Sequence, residues 1–247
     1  MTTRLQSGAS LVLFEKLDST SSEARRRAAT GVRGPLWIVA LEQTSGYGRR
    51  GTEWQSGAGD VAATFLFEQP AAGGPVAQLS FVAALAAAET LSGLAPLADI
   101  TVKWPNDVLA NGGKIAGILL ELLEGAPRSI PLLALGIGIN IVTKPDNVQY
   151  GTTRLLDFMA EAPPVPETVG RLDSAFDAHR RQWMREGFGP VREAFLARAA
   201  QMGSTIRVQL PNETVEGVFL DLDPSGALVL DCGGELRRIS AGAILRA

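Results

Sequence analysis

The sequence predicts an α+β domain followed by a small all-β unit. Three observations predict it. Up to about residue 202, short apolar strand-like runs alternate with helical segments, one of them long and alanine-rich. From Gly203 onward the pattern is only short β-rich runs separated by turn residues. The length of 247 residues allows one large domain plus a small one, and hydrophobic residues at 46% supply enough side chains for both cores. The expected division is residues 1–202 and residues 203–247.

Each element has a local reason. Leu11 to Phe14 is a short apolar run and reads as a strand. Asp18-Ser19-Thr20-Ser21-Ser22-Glu23 reads as a helix start, because Ser and Thr side chains cap free N–H groups and Glu23 lies near the positive end of the dipole. That helix is expected to run to Ala29 and stop at Gly31. Leu36 to Leu41 and Asp60 to Phe67 are strands. Pro75 to Leu94 is the clearest helix, apolar on most sides and therefore expected to be buried, with a proline in its first turn. Ile100 to Trp104 is a strand ending in a Pro-Asn-Asp turn. Val108 to Ala110 and Lys114 to Leu123 form a hairpin about Asn111-Gly112-Gly113, since Asn-Gly takes up positive φ readily. Ile130 to Val142 is a strand with glycines 136 and 138 inside it. Thr152 to Ala160 reads as a helix, Ala162 to Pro166 as a break, and Glu167 to Glu186 and Val191 to Ala200 as two further helices. Thr205 to Leu210, Thr214 to Leu222, Ala227 to Asp231 and Glu235 to Ile239 are then the strands of a β-barrel of SH3-like size.

Bulk properties narrow the function. The net charge of −3 gives no footprint for non-specific nucleic-acid binding. A single cysteine, Cys232, cannot form an internal disulfide and fits a reducing compartment. The first ten residues lack the pattern of a signal peptide, and Phe81 to Leu94, interrupted by Glu89, is too short to span a bilayer. A cytoplasmic protein with no membrane partner is the expectation. With a lone His179 and a lone Cys232, a zinc site is not expected.

Two stretches carry chemistry. The first is the loop from Gln43 through Gly46, Tyr47, Gly48, Arg49, Arg50 and Gly51 to Trp54. Glycines allow close backbone approach, and two arginines supply fork-shaped donors, so the loop suits an anionic ligand. The second runs from Lys103-Trp104-Pro105-Asn106-Asp107 to Lys114-Ile115-Ala116-Gly117-Ile118-Leu119. Lys114 is a compact cation just past a turn, and Asn106 and Asp107 could hold Mg2+ or polar ligand edges. Trp54 and Trp104 read equally as ligand walls or as core. Gly136 and Gly138, inside a strand, mark close approach of a ligand or of another backbone. Gly112-Gly113-Lys114 is not a phosphate-binding P-loop, because Ile115 replaces the Ser/Thr and Val108 the first glycine. Arg25-Arg26-Arg27 reads as a solvated helix face.

Taken together, these segments resemble the biotin protein ligases. That family carries a Gly-Arg-Gly-Arg-Arg-Gly-type loop ending in Trp, a Lys-Trp-Pro-Asn-Asp segment and a Lys-x-x-Gly-Ile-Leu segment, matched here by Gly46–Gly51 with Trp54, Lys103–Asp107 and Lys114–Leu119. Asp18-Ser19-Thr20 and Gly136-Ile137-Gly138-Ile139-Asn140 are similar to the family's pocket-lining segments, so the resemblance covers about Leu11 to Val142.

The resemblance implies a central mixed sheet flanked by helices, with a C-terminal SH3-like domain. It implies activation of biotin by ATP to biotinyl-5′-AMP, with Mg2+, and transfer to a lysine on the biotin carboxyl carrier domain of an acetyl-CoA carboxylase or related enzyme. Such chemistry needs fixed cations where two anions meet, and a closing loop to keep water from the mixed anhydride. Ser19 and Thr20, with Gln43 nearby, would meet the ureido ring. Gly46, Gly48 and Arg49 would belong to a loop ordered over the ligand. Lys114 would contact carboxylate and phosphate, and Gly117 would permit close approach. Asn106 and Asp107 would shape the nucleotide and metal region, with Asp107 as the metal candidate, and Asn140 would sit near the adenylate. Lys114, Arg49 and Asp107 are the candidate catalytic residues.

The sequence departs from the family pattern at Tyr47, where the first loop arginine is expected, and at Ser21, Thr52 and Glu53. The catalytic pattern begins by about Leu11, so the monofunctional type without DNA binding is expected. Dimers are common in the family, and a homodimer is an open expectation. The competing readings are a lipoate or octanoate ligase and a non-catalytic biotin-binding regulator.

Overall fold

Most of the apolar runs assemble side by side into one sheet. The computed structural model describes residues 2–70, 72–124, 130–145 and 151–245, so the outer bounds of the two expected units, Met1 and Ala247, lie outside the described residues. Eight strands, β1 (Thr2–Arg4), β2 (Ser10–Leu17), β3 (Leu36–Gln43), β4 (Val61–Glu68), β5 (Ile100–Lys103), β6 (Asp107–Ala110), β7 (Gly113–Glu124) and β8 (Leu132–Ile139), stand in the order β1-β2-β3-β4-β8-β7-β6-β5. Only β2 and β3 are parallel, joined by the crossover helix α1 (Thr20–Ala29), so the sheet is mixed. The β6–β7 hairpin turns at Asn111 and Gly112, with φ of +48° and +78°, the backbone expected of an Asn-Gly turn.

The two faces of the sheet differ in side-chain size. Alternation puts Val61, Ala63, Phe65 and Phe67 of β4 and Leu133, Leu135, Ile137 and Ile139 of β8 on one face, all in the large core cluster. This face is covered by α2 (Leu79–Leu94) and α3 (Val165–Glu186). Trp37 stacks on Phe65 at 4.8 Å and Phe65 on Phe67 at 4.7 Å, while Phe176 of α3 meets both edge-on. Burial of each such ring is worth about 1.5–3 kcal/mol. Packed on the sheet, α3 and α4 (Phe188–Ala197), helix α2 is buried nearly all round, as its composition predicts; a 3-10 turn at Val76–Gln78 precedes it. Val76–Leu94 is long and apolar enough to cross a membrane, but 67% of it is buried inside the protein, as a core helix is.

On the opposite face α1 covers only one end. Ala24 and Ala28 pack on Leu36, Ile38, Leu66, Leu132 and Ala134. Beyond α1 the same face carries Ala62, Gly138 and Gly117, partners across β4, β8 and β7. This narrow floor of missing side chains positions the site.

The second unit is a five-stranded antiparallel sheet, SH3-like as expected, built from β9 (Thr205–Gln209), β10 (Thr214–Leu222), β11 (Leu228–Asp231), β12 (Leu236–Ile239) and β13 (Ala243–Leu245) in the order β12-β11-β10-β9-β13. It docks on the first unit through satisfied polar groups. The Trp104 indole donates to the Gly226 carbonyl (3.1 Å) and Gln78 donates to the Pro224 carbonyl (3.0 Å), while Trp183 donates to Gln78 (2.9 Å). Arg192, on helix α4 (Phe188–Ala197), donates to the Leu222 carbonyl and pairs with Asp221.

Several elements differ from expectation. Strands β1 and β13 are three-residue edge strands, too short to show a period. Helix α4 begins at Phe188 rather than Val191, because Gly187 alone, at φ +75°, turns the chain, and Pro190 sits harmlessly in the first turn. The segment Thr152 to Ala160 contains only a 3-10 turn at Leu155–Asp157. Its amides are committed elsewhere: Thr153 N–H donates to the Lys114 carbonyl (3.0 Å) and Leu155 N–H to the Asn140 carbonyl (2.9 Å).

Gly226 has φ +88°, and a Cβ there would stand 2.7 Å from the Phe81 ring of α2. Gly226→Val is expected to lower stability by about 2 kcal/mol or more, from left-handed backbone strain and overpacking together. Thermal unfolding checks it; an unchanged midpoint would mean that the two units do not depend on this contact.

Candidate active site

Where α1 ends, the small-residue face opens into a cleft of about 1140 Å³, walled by the Gly46–Trp54 loop, the β5–β6 turn and the C-terminal sheet. Its geometry follows from the glycines. A Cβ on Gly138 would lie 2.2–2.4 Å from three atoms of the Trp54 indole, and one on Gly117 would lie 2.9 Å from the same ring. Trp54 therefore lies flat against the sheet only because both positions lack side chains. Gly117 also leaves room for Lys114, whose Nζ stands 5.5 Å from the Trp54 ring centroid, within reach of a cation–π contact.

One end of the cleft is a buried chain of hydroxyls and an amide. Ser19 is the N-cap of α1 and its Oγ accepts from Ser22 N–H (3.4 Å); Ser19, Thr20 and Ser21 are all buried. Gln43 Oε1 accepts from the Thr20 N–H (2.9 Å) and hydroxyl (3.1 Å). Thr64 Oγ1 donates to Thr20 Oγ1 (2.8 Å) and lies 3.2 Å from Ser21 Oγ. Capping and cleft lining thus coincide in Ser19. Thr64, the lone hydroxyl in an apolar strand, fixes the rotamers of two lining residues and escaped the sequence reading.

The other end is cationic. The loop is a small ribbon: Trp54 N–H donates to the Gly46 carbonyl (2.9 Å), Gly48 N–H to the Thr52 carbonyl (2.7 Å), and Arg50 and Gly51 turn the chain at φ +56° and +73°. Arg49 Nη1 donates to Asn106 Oδ1 (3.2 Å), and Asn106 Nδ2 donates to the Ile118 carbonyl (2.6 Å), tying loop, turn and β7 together. Burial pushes the Arg49 guanidinium below its ordinary value; neighbouring Arg50 adds to this and Asp107 opposes it. The group stays charged, and its partial desolvation strengthens its attraction for an anion. Lys114 Nζ and Asp107 Oδ1 are 2.7 Å apart. Among the described residues no group of three or more His, Cys, Asp or Glu could hold a metal ion, so any cation at Asp107 depends on oxygens from elsewhere.

The lysine is held by its surroundings. Lys114 N–H donates to the Gly151 carbonyl (2.8 Å), and Lys114 forms a bridge with Thr152. That segment is anchored by Asp157, which receives Lys144 (2.9 Å), Arg154 (3.0 Å) and Thr153 (3.0 Å). Burial alone would raise the Asp157 carboxyl; these donors outweigh it and bring it down to about 2. Asp60 Oδ1 accepts the N–H groups of Ile141, Val142 and Thr143 at 2.7–3.0 Å, joining the start of β4 to the segment after β8.

The cleft brings together Ser19, Thr20, Ser21, Gln43, Tyr47, Gly48, Arg49, Arg50, Trp54, Lys103, Asn106, Asp107, Lys114, Gly117 and Gly136. Three candidates lie outside its lining. Gly46 serves the loop, since a Cβ there would meet the Trp54 carbonyl at 2.5 Å. Asn140 is buried and donates to the Thr153 carbonyl (3.0 Å). Trp104 is 2% exposed and faces the C-terminal unit, so of the two tryptophans only Trp54 is a cleft wall. Gln201 and Arg207 also line the cleft; they come from the second unit and its approach, which no local motif marks.

Comparison with known proteins places the chain. Residues 13–140 match the Biotin/lipoate A/B protein ligase family, and residues 202–246 match the Biotin protein ligase C terminal domain. The chain is 42% identical over 225 residues to a biotin–[acetyl-CoA-carboxylase] ligase of Paracoccus denitrificans, covering 88% of this chain and 92% of the relative. It is 35% identical to the protein of the same name from Mycobacterium tuberculosis, covering 92% and 85%. A biotin protein ligase from Aquifex aeolicus in complex with biotin and ATP superimposes with a TM-score of 0.84, at 23% identity, over 96% of this chain and 99% of that one.

Asp157 generates a pH prediction. Its folded-state value lies below its ordinary 3.8, so its contribution to stability is present above about pH 4 and lost as the pH falls toward 2. Asp157→Asn should therefore be less stable than the parent at pH 7, with the gap closing near pH 2. Equal stability at neutral pH would show that the anchor contributes nothing.

Proposed function

The chain belongs to the biotin protein ligase family, and from that premise we infer that it joins biotin to ATP as biotinyl-5′-AMP and transfers the biotinyl group to a lysine of a carboxylase's carrier domain. The observation that carries the reading is the polarity of the cleft. A buried hydroxyl–amide chain (Ser19, Thr20, Gln43, Thr64) lies at one end, a floor without side chains in the middle, and Arg49 and Lys114 at the other. Biotin has the same order: a ureido ring with N–H donors and a carbonyl, an aliphatic chain, and a carboxylate. Lipoate presents a dithiolane where the ureido would sit and offers these polar groups no hydrogen-bond partner, a mismatch that discriminates against it.

In the first half-reaction a carboxylate oxygen attacks the α-phosphorus of ATP, an O–P bond forms, and pyrophosphate leaves. Two anions must approach, and Lys114 and Arg49 are placed to lower that repulsion and stabilise the developing charge. The Lys114–Asp107 pair supports a role for Asp107 in orienting the ammonium until the ligand's oxygens take it over. In the second half-reaction the carrier's lysine amine attacks the acyl carbon, AMP leaves, and a proton is lost from the nitrogen. The Gly46–Trp54 loop would exclude water in the interval.

Mg2+ is part of the proposal. It takes one or two carboxylates and completes its shell with phosphate oxygens and water, so Asp107, a single carboxylate on the cleft wall, fits that demand, and the ion would neutralise the departing pyrophosphate. A cytoplasmic location is proposed on the lone cysteine and the requirement for ATP.

ATP–pyrophosphate exchange tests the reading. Exchange should depend on biotin, fail with lipoate, and fall at least about a hundredfold in Lys114→Ala. Exchange supported by lipoate alone would change the substrate. Biotin binding without exchange would favour a regulator over an enzyme, and full exchange in the variant would remove Lys114 from the mechanism.

A further inference from the structure

The arginine run of α1 is not an idle surface. Arg25 Nη2 lies 2.6 Å from Glu121 Oε1, a residue of β7 whose side chain is only 15% exposed. The other oxygen of the same carboxylate, Oε2, accepts from the Tyr47 hydroxyl at 3.3 Å. One carboxylate thus joins α1, β7 and the cleft loop. Hydrogen bonding with Tyr47, and then with Glu121, raises the Arg25 guanidinium above its ordinary value. Within the loop, Tyr47 forms a bridge with Glu53, and two residues on Arg49 reaches Asn106.

We propose that Tyr47, Glu121 and Arg25 are a latch that holds the Gly46–Trp54 loop over the cleft and presets Arg49 before the acid binds. Tyr47 stands where the family pattern has a loop arginine, so at this position the latch has a hydroxyl contact to Glu121 in place of a cation. It acts through Arg49, which makes Tyr47 a positioning residue rather than a catalytic one. A preset loop lowers the ordering cost that the substrate otherwise meets on binding. Losing the latch should therefore weaken substrate capture and leave the chemical step intact. This inference rests on the ligase reading for its kinetic consequence, but not for its structural one.

The test uses the full chain and two readouts. Arg49 and Arg50 are trypsin sites at the tip of the loop. Tyr47→Phe keeps the ring and removes only the hydroxyl. It should speed cleavage at these two bonds in the free protein by about tenfold, the factor that one hydrogen bond to a carboxylate supports, with an unchanged unfolding midpoint. In biotin-dependent pyrophosphate exchange its KM for biotin should rise by a similar factor while kcat stays within about twofold. Glu121→Leu should do the same from the other side, and the two effects should fall short of adding in the double variant, because both changes break the Tyr47–Glu121 contact. Cleavage of Tyr47→Phe at the parent's rate, or effects that add in the double variant, would overturn the latch. A parent that resists trypsin at the loop yet shows no exchange with any acid would overturn the ligase reading and leave the latch standing.

Discussion

Everything at the site depends on the approach of one indole to a sheet. Trp54 can lie against β7 and β8 only because Gly117 and Gly138, direct partners across those strands, have no side chains. With the ring in that position, the loop carrying Tyr47, Arg49 and Arg50 is drawn over the cleft, and Lys114 Nζ stands over the ring. Strand glycines weaken a sheet, through lost packing and backbone entropy. Here the loss falls on the interior strands of an eight-stranded sheet, whose other face is filled by Phe65, Phe67 and their neighbours under α2 and α3. The rigid face and the hollow face are alternate residues of the same strands.

The surroundings of the cleft are held by polar side chains that tie neighbouring segments together. Asp60 collects three backbone amides at the end of β8, and Asn106 links Arg49 to the Ile118 carbonyl. The segment after Gly151 gives up the helix its composition would allow and spends its amides on Lys114 and Asn140. Each of these arrangements fixes backbone next to a functional side chain, the condition under which charged groups act without reorganising. The C-terminal sheet completes the wall and is locked by Trp104, Gln78 and Arg192.

What was legible in the sequence was local. Glycine-flanked arginines, the Asn-Gly turn and the alanine-rich helix follow from backbone preferences that neighbours in sequence determine, and they appear where expected. What was not legible depends on pairing at long range. Nothing in a single strand says that Thr64 will touch Thr20 and Ser21, that Glu121 will face Tyr47, or that Trp104 will turn toward Gly226 while Trp54 turns toward the cleft. The two tryptophans were equivalent as residues; register separates them. Gly138 could be read from sequence as a place of close approach, but the atom approaching it is an indole of the same chain.

The most direct test of this account is the affinity of Gly138→Val for biotin, measured by calorimetry alongside its unfolding midpoint. A side chain at position 138 occupies the space of the Trp54 ring, so the ring must leave the sheet and enter the cleft. The account predicts a fall in affinity of at least about a hundredfold, roughly 2.7 kcal/mol, with cooperative unfolding retained. Affinity equal to the parent's in a folded variant would mean that the seat of Trp54 does not shape the site, and would contradict the account at its base.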